Sequence, residues 1–282
     1  MSARTRAACV AILTGVLLWL GLSPRLAQFF YQLALMPRCK SETAESANSA
    51  EIMVQKTKFR SGELMLNGEV YTPCQHVYTS ARSQKLIVYF GGRRSNRAKN
   101  LIRVQALLNT GAAVFTFTYR GFGEEKGHAS VDSLLRDGLA AYDAVKRMGY
   151  KPAQIVLYGE SLGATVAAYV SSKRNVSGVI LQSGFASLEV QMKDMIPILR
   201  VYPRCLFPKH DLSTVQSIQP GHSPLLIMHG DQDSVVDKKH AHWMAKSAGQ
   251  NTRLIVFEGA GHVGVHLRDD WLAAVNEFIE SL

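Results

Sequence analysis

Gly159-Glu160-Ser161-Leu162-Gly163 sets a serine between two glycines, directly after the apolar run Ile155–Tyr158 and directly before a helix-forming stretch. A turn from strand to helix that sharp leaves no room for side chains at its flanks, so it needs glycine there. Such a turn holds the Ser161 hydroxyl at the strand edge beside a helix amino terminus, where it can serve as a nucleophile. A hydroxyl is a poor nucleophile at neutral pH, so it requires a base, and the base requires a carboxylate to orient it. His262, in the loop Gly259-Ala260-Gly261-His262 after the last apolar run, is the candidate base. His266 is the competitor, but it falls at the start of the final helical region, where packing or exposure to water accounts for it. The spacing of these two histidines is not read as a metal pair, because Gly264 and the β-branched Val263 and Val265 oppose a metal-binding helix. The carboxylate is expected from His229-Gly230-Asp231-Gln232-Asp233-Ser234-Val235-Val236-Asp237. Asp233 is the first choice and Asp231 the second, while Asp237 reads as a helix cap.

Acyl transfer through this serine also needs donors for a tetrahedral oxyanion. The backbone N–H of Leu162 is one candidate. The other is the N–H of Arg93 in Gly91-Gly92-Arg93, where paired glycines let backbone approach a substrate; Gly92 and Arg94 are then candidate substrate contacts. No metal or organic cofactor is required.

The elements that must position these groups follow from the apolar pattern. After residue 51, runs of strand-like residues alternate with helical stretches, the pattern of a mainly parallel sheet covered on both faces. Strands are expected at Lys85–Phe90, Ala112–Thr118, Gln154–Tyr158, Gly178–Gln182, Leu225–Met228 and Arg253–Phe257. Helices are expected at Ala98–Asn109, Val131–Met148, Leu162–Lys173, Lys238–Ala248 and Asp270–Ser281. Ile52–Thr72 alternates around Ser61-Gly62 and Asn67-Gly68, which suggests antiparallel strands at one edge. Residues 183–224 are too long for a simple crossover and read as a small helical cap beside the carboxyl ends of the strands; an ordinary long crossover is the alternative.

Five segments together resemble the α/β-hydrolase superfamily: Phe90-Gly91-Gly92, Tyr119-Arg120-Gly121-Phe122-Gly123, Gly159–Gly163, His229–Asp233 and Gly261-His262. The resemblance covers about residues 52–282. It is similar to the membrane-anchored branch that holds lysophospholipases, monoacylglycerol-type lipases and protein depalmitoylases, and its core resembles serine aminopeptidases. It implies an α/β-hydrolase fold, the chain order Ser, Asp, His, and an acid at Asp233. The family usually carries His-Gly where this sequence has Gly91-Gly92, so the oxyanion loop is altered. Tyr119–Gly123 is expected to stabilise a loop, with Arg120 as a structural ion-pair partner.

The chain has 282 residues, 47% of them apolar and 19% charged, which excludes disorder for its bulk. Residues 7–22 carry no charge and read as a membrane segment, either an uncleaved anchor or a cleaved signal. Residues 1–40 are therefore expected to be the anchor or signal and residues 41–51 a polar linker. The body would then sit on the translocated side, in a periplasm or lumen, although a cytosol-facing or secreted body is also compatible with the sequence. Four cysteines show no CxxC spacing; Cys74 and Cys205 could pair in an oxidising compartment or remain free thiols.

The formal charge is +10, and its location decides its meaning. Five basic residues lie in residues 1–40 and five more are Arg93, Arg94, Arg97, Lys99 and Arg103, both stretches without acids; the remainder is neutral. Nucleic acid is disfavoured, since no basic helix or RNP-like aromatic run accompanies the charge. The second cluster is either one solvated helix face or an attractor of anionic substrates at the site rim. The expected function is a serine hydrolase of ester or thioester bonds, with lipid-like acyl substrates. A serine peptidase or amidase, using Glu124 and Glu125 for a substrate ammonium, and a silent membrane-tethered binding protein are the alternatives.

Overall fold

A computed structural model describes residues 52–73, 84–202, 207 and 212–282. The expected anchor, the linker and all four cysteines lie outside the described residues, as do parts of the 183–224 insertion. Among the described residues no helix is long and apolar enough to cross a membrane.

Eight strands form one sheet in the order β1-β2-β4-β3-β5-β6-β7-β8. They are β1 (Ile52–Ser61), β2 (Leu64–Pro73), β3 (Leu86–Phe90), β4 (Ala113–Phe117), β5 (Ile155–Glu160), β6 (Gly178–Gln182), β7 (Leu225–Gly230) and β8 (Thr252–Phe257). Strands β3 to β8 pair in parallel, while β1 and β2 add an antiparallel edge. The central strands read as unbroken apolar runs because both faces are covered. Leu86, Val88 and Phe90 of β3 enter one core with Phe115, Leu157 and Val166, whereas Ile87 and Tyr89 enter the other with Val156, Tyr158 and Trp271.

The helices that cover these faces are α1 (Arg97–Leu108), α2 (Val131–Arg147), α3 (Leu162–Lys173), α4 (Leu188–Met195), α5 (Thr214–Ser217), α6 (Lys239–Ala248) and α7 (Asp269–Glu280). Side-chain caps start several of them: Asn96 accepts the Lys99 N–H at 2.8 Å for α1, and Ser130 and Ser133 form a reciprocal capping box for α2.

The edge hairpin turns at Gly62, whose φ is +61°. Asn67-Gly68 is not a turn but lies inside β2, paired with Lys58 and Thr57. A Cβ on Gly68 would meet the Phe115 ring at 2.7 Å, so the glycine there makes room for an aromatic cluster. The 183–224 segment is helical only in short pieces. Its α4 leans on the loop after β7, through Gln191 Nε2 to the Val235 carbonyl at 2.7 Å. Its α5 instead docks on α3, where Thr214 Oγ1 and Thr165 Oγ1 are 3.0 Å apart.

Arg120 is a structural ion-pair partner, as the sequence suggests. Its Nε donates to Asp137 Oδ1 and Oδ2 at 3.0 and 3.1 Å, and its backbone N–H donates to Oδ2 at 3.0 Å. Ser61 Oγ adds a hydrogen bond to Oδ1 at 2.6 Å, which ties the edge hairpin to α2. Asp137 is fully buried. Asp137→Ala leaves the guanidinium buried without its counter-charge, and is expected to lower unfolding free energy by about 3–5 kcal/mol in urea denaturation. A loss below about 1 kcal/mol, the range of an exposed pair, would contradict this account.

Candidate active site

Ser161 stands between the end of β5 and the start of α3 with φ +55° and ψ −116°. That backbone conformation costs a side-chain-bearing residue about 1–3 kcal/mol and persists only where the surroundings enforce it. The enforcement is visible at the flanking glycines. A Cβ on Gly159 would lie 2.4 Å from the Gly163 carbonyl oxygen, and one on Gly163 would lie 2.0 Å from the Phe90 carbonyl oxygen. The Ser161 N–H donates to the Gln182 carbonyl at 2.9 Å, which ties the elbow to β6.

Two loops from the neighbouring strands bring a histidine and an aspartate to this serine. The loop after β7 packs directly on the loop after β8: a Cβ on Gly230 would lie 2.2 Å from the Ala260 carbonyl oxygen. The Gln232 N–H donates to that same carbonyl at 2.9 Å. Asp231, the second-choice acid, accepts the Gly259 N–H at 2.7 Å and so pins the turn that carries His262. Asp237 accepts the Lys239 N–H at 2.8 Å at the start of α6, in keeping with its reading as a cap.

His262 Nδ1 lies 2.7 Å from Asp233 Oδ2, and His262 Nε2 lies 3.2 Å from Ser161 Oγ. A carboxylate only accepts, so Nδ1 carries the proton and Nε2 is left to accept from the serine hydroxyl. The other Asp233 oxygen, Oδ1, accepts the Val235 and Val236 N–H groups, each at 2.8 Å. His229 Nε2 donates to the Val236 carbonyl at 2.8 Å and approaches Asp233 Oδ2 at 3.2 Å. The Asp233 side chain is fully buried, and burial by itself pushes a carboxyl up. Hydrogen bonds from His229, His262 and the Val236 N–H outweigh it and hold Asp233 well below the usual carboxylate range. From the sequence, His229 serves only to locate Asp233 four residues later and is assigned no role of its own.

The loop after β3 lies against the elbow. A Cβ on Gly92 would come 3.2 Å from Ser161 Cβ and 3.3 Å from the Glu160 carbonyl oxygen, so glycine permits the approach expected of it. Leu162 opens α3, where first-turn amides lack intrahelical acceptors. Arg93 is half-buried and Arg94 exposed in the turn that follows. The basic cluster is not a uniform charged face: Arg97 pairs with Glu69 at 2.9 Å and Arg103 with Glu160 at 2.8 Å. Glu124 and Glu125 line a separate cavity of about 540 Å³, with Lys58, Asn67, Glu69 and Asn100, that does not include Ser161. Glu125 is also engaged there, accepting from Asn67 Nδ2 at 2.8 Å.

Comparison with known proteins agrees with this architecture. Residues 81–220 match the family model described as serine aminopeptidase, S33. An uncharacterised protein of Mycobacterium tuberculosis is 29% identical over 205 residues, 72% of each chain. Human α/β hydrolase domain-containing protein 17C is 31% identical over 168 residues, which span 59% of this chain and 49% of that one. The chain thus covers about half the length of that relative. Among solved structures, an esterase of Pyrococcus furiosus superposes with a TM-score of 0.67 at 19% identity, covering 87% of this chain and 97% of that one. An esterase domain from Rhodothermus marinus gives 0.58 at 18% identity, covering 81% and 97%. The mostly parallel eight-stranded sheet, the strand-to-helix elbow and these similarities together show an α/β-hydrolase fold, in a chain similar over residues 81–220 to the serine aminopeptidase family of that superfamily.

Proposed function

We propose that the protein is a serine hydrolase that cleaves carboxylic esters or thioesters through an acyl-enzyme. The observation that carries this reading is the unbroken hydrogen-bonded line from Asp233 through His262 to Ser161. His262 Nε2 takes the hydroxyl proton as Ser161 Oγ attacks the substrate carbonyl, and the resulting oxyanion accepts from the N–H groups of Leu162 and Arg93. His262 then gives that proton to the leaving oxygen or sulfur, and the bond to the leaving group breaks. A water, deprotonated by His262, attacks the acyl-serine; the collapse of that second intermediate returns the proton to Ser161 and releases the acid. Asp233 stays ionised throughout and holds the imidazole in the reactive tautomer, a role its depressed pKa suits.

Lipid-like acyl chains are the proposed substrates. The apolar stretch of residues 7–22 would hold the site near a bilayer. Gly92 would border the acyl carbonyl, and Arg94 would meet an anionic leaving group at the rim. Carboxylates for a substrate ammonium are lacking at Ser161 as far as Glu124 and Glu125 are concerned, since both line the separate cavity. The purified protein should therefore hydrolyse acyl-glycerol or acyl-thioester substrates faster than aminoacyl amides in a direct rate comparison. A clear preference for the amide would overturn the ester assignment.

A further inference from the structure

Directly behind the elbow, the side chain of Glu160 accepts from two residues that the triad does not use, Arg103 and Tyr89. Arg103 of α1 donates to it twice, Nε to Oε2 at 2.8 Å and Nη2 to Oε1 at 3.2 Å, in the paired geometry that guanidinium planes favour. The third nitrogen of Arg103, Nη1, lies 3.0 Å from His266 Nε2. Tyr89 Oη donates to Glu160 Oε2 at 3.1 Å. The Arg103 and Glu160 side chains are only 16% and 13% exposed, so solvent screens this ion pair weakly.

His266 is held by its surroundings as an acceptor. Burial pushes its imidazole down to about 4, the Arg103 cation pushes it the same way, and Glu160 opposes them. It is therefore neutral at neutral pH, with Nε2 receiving the Arg103 proton. Its ring meets Trp271 edge-on at 6.5 Å, and the Trp271 indole is itself fixed by a 2.9 Å hydrogen bond to Gln182. The competitor of His262 in the sequence is thus a buried partner of an arginine, not a second base.

Arg103 consequently joins the residue before the nucleophile to the segment that follows the base. Its own helix α1 begins just after Gly91-Gly92, Glu160 is the residue before Ser161, and His266 follows His262 by four positions. We infer that Arg103 is a positioning residue which, by clamping Glu160 and His266 together, sets the separation between Ser161 Oγ and His262 Nε2. This inference rests on the triad reading above.

The test must separate positioning from simple stability. Arg103→Met alone strands the Glu160 charge, so the informative protein is the double variant Arg103→Met/Glu160→Gln, which removes both charges. It is expected to melt near the wild-type temperature yet lose kcat for p-nitrophenyl butyrate by about tenfold to a hundredfold, the cost of misplacing reacting atoms by up to about an ångström. KM should change by less than about twofold, because no group that contacts substrate has been removed. His266→Leu, which deletes the acceptor, should lose kcat similarly, and His266→Gln, which restores one, should recover most of that loss. Wild-type kcat in the double variant, with Ser161→Ala inactive, would overturn the positioning role and leave the triad reading intact. Full activity in Ser161→Ala would instead remove the triad reading itself.

Discussion

Ser161→Ala is expected to lower kcat for p-nitrophenyl butyrate by about a millionfold, the scale seen when an acyl-enzyme nucleophile is deleted. The residue left behind cannot form the covalent intermediate, so only binding and oxyanion stabilisation remain, which are worth about a thousandfold to ten-thousandfold over water. Folding should survive the change. Among the described residues the hydroxyl makes one hydrogen bond, to His262 at 3.2 Å, and alanine suffers the same φ of +55° that serine already bears. The strain is imposed by the close approach of Gly159 and Gly163 to neighbouring backbone, which the substitution leaves in place. A fluorophosphonate probe should label the wild-type chain at Ser161 and fail to label the variant. Labelling at another residue, or ester hydrolysis within tenfold of wild type, would defeat the assignment of the nucleophile.

What could be read from the sequence follows the range of the forces involved. The elbow was legible because its constraint is local: two glycines flank one serine, and each is forced by backbone within a few residues or on the adjoining strand. The central strands were legible because burial on both faces leaves an unbroken apolar run. Asp231, Asp233 and Asp237 could be ranked from their places after β7, and the hydrogen bonds of Asp231 to Gly259 and of Asp237 to Lys239 give the two remaining acids separate tasks. The Arg103 cluster was not legible. Arg103 and His266 are 163 residues apart, and no spacing rule links them. Counted only as charge, Arg97 and Arg103 suggested a basic rim, whereas their partners Glu69 and Glu160 reach them from other strands of the sheet. The Asn67-Gly68 pair carries the signature of a tight turn, but its glycine answers to the Phe115 ring across the sheet, a tertiary demand that outweighs local turn preference.

Asp233→Asn should lower kcat by about ten-thousandfold, and the reason lies in which oxygen the backbone holds. Oδ1 accepts two N–H groups, from Val235 and Val236, so an asparagine must leave its carbonyl there and turn its amide nitrogen to the Oδ2 position. That nitrogen would donate to His262 Nδ1, moving the imidazole proton to Nε2, where it faces Ser161 and can no longer accept. It would also confront the His229 Nε2–H, a second donor, which makes the retained geometry costly as well as unreactive. Stability should respond to pH in a matching way. Because the folded-state pKa of Asp233 is held below the unfolded value of about 3.9, its contribution is fully present above that pH and lost as the pH falls through the folded value. The variant has no such group, so its urea midpoint should decline less steeply than that of the wild type below about pH 4. Equal acid slopes in the two proteins would show that Asp233 is not held ionised by its partners. An Asp233→Asn rate within tenfold of wild type would show that its carboxylate does not set the tautomer of His262.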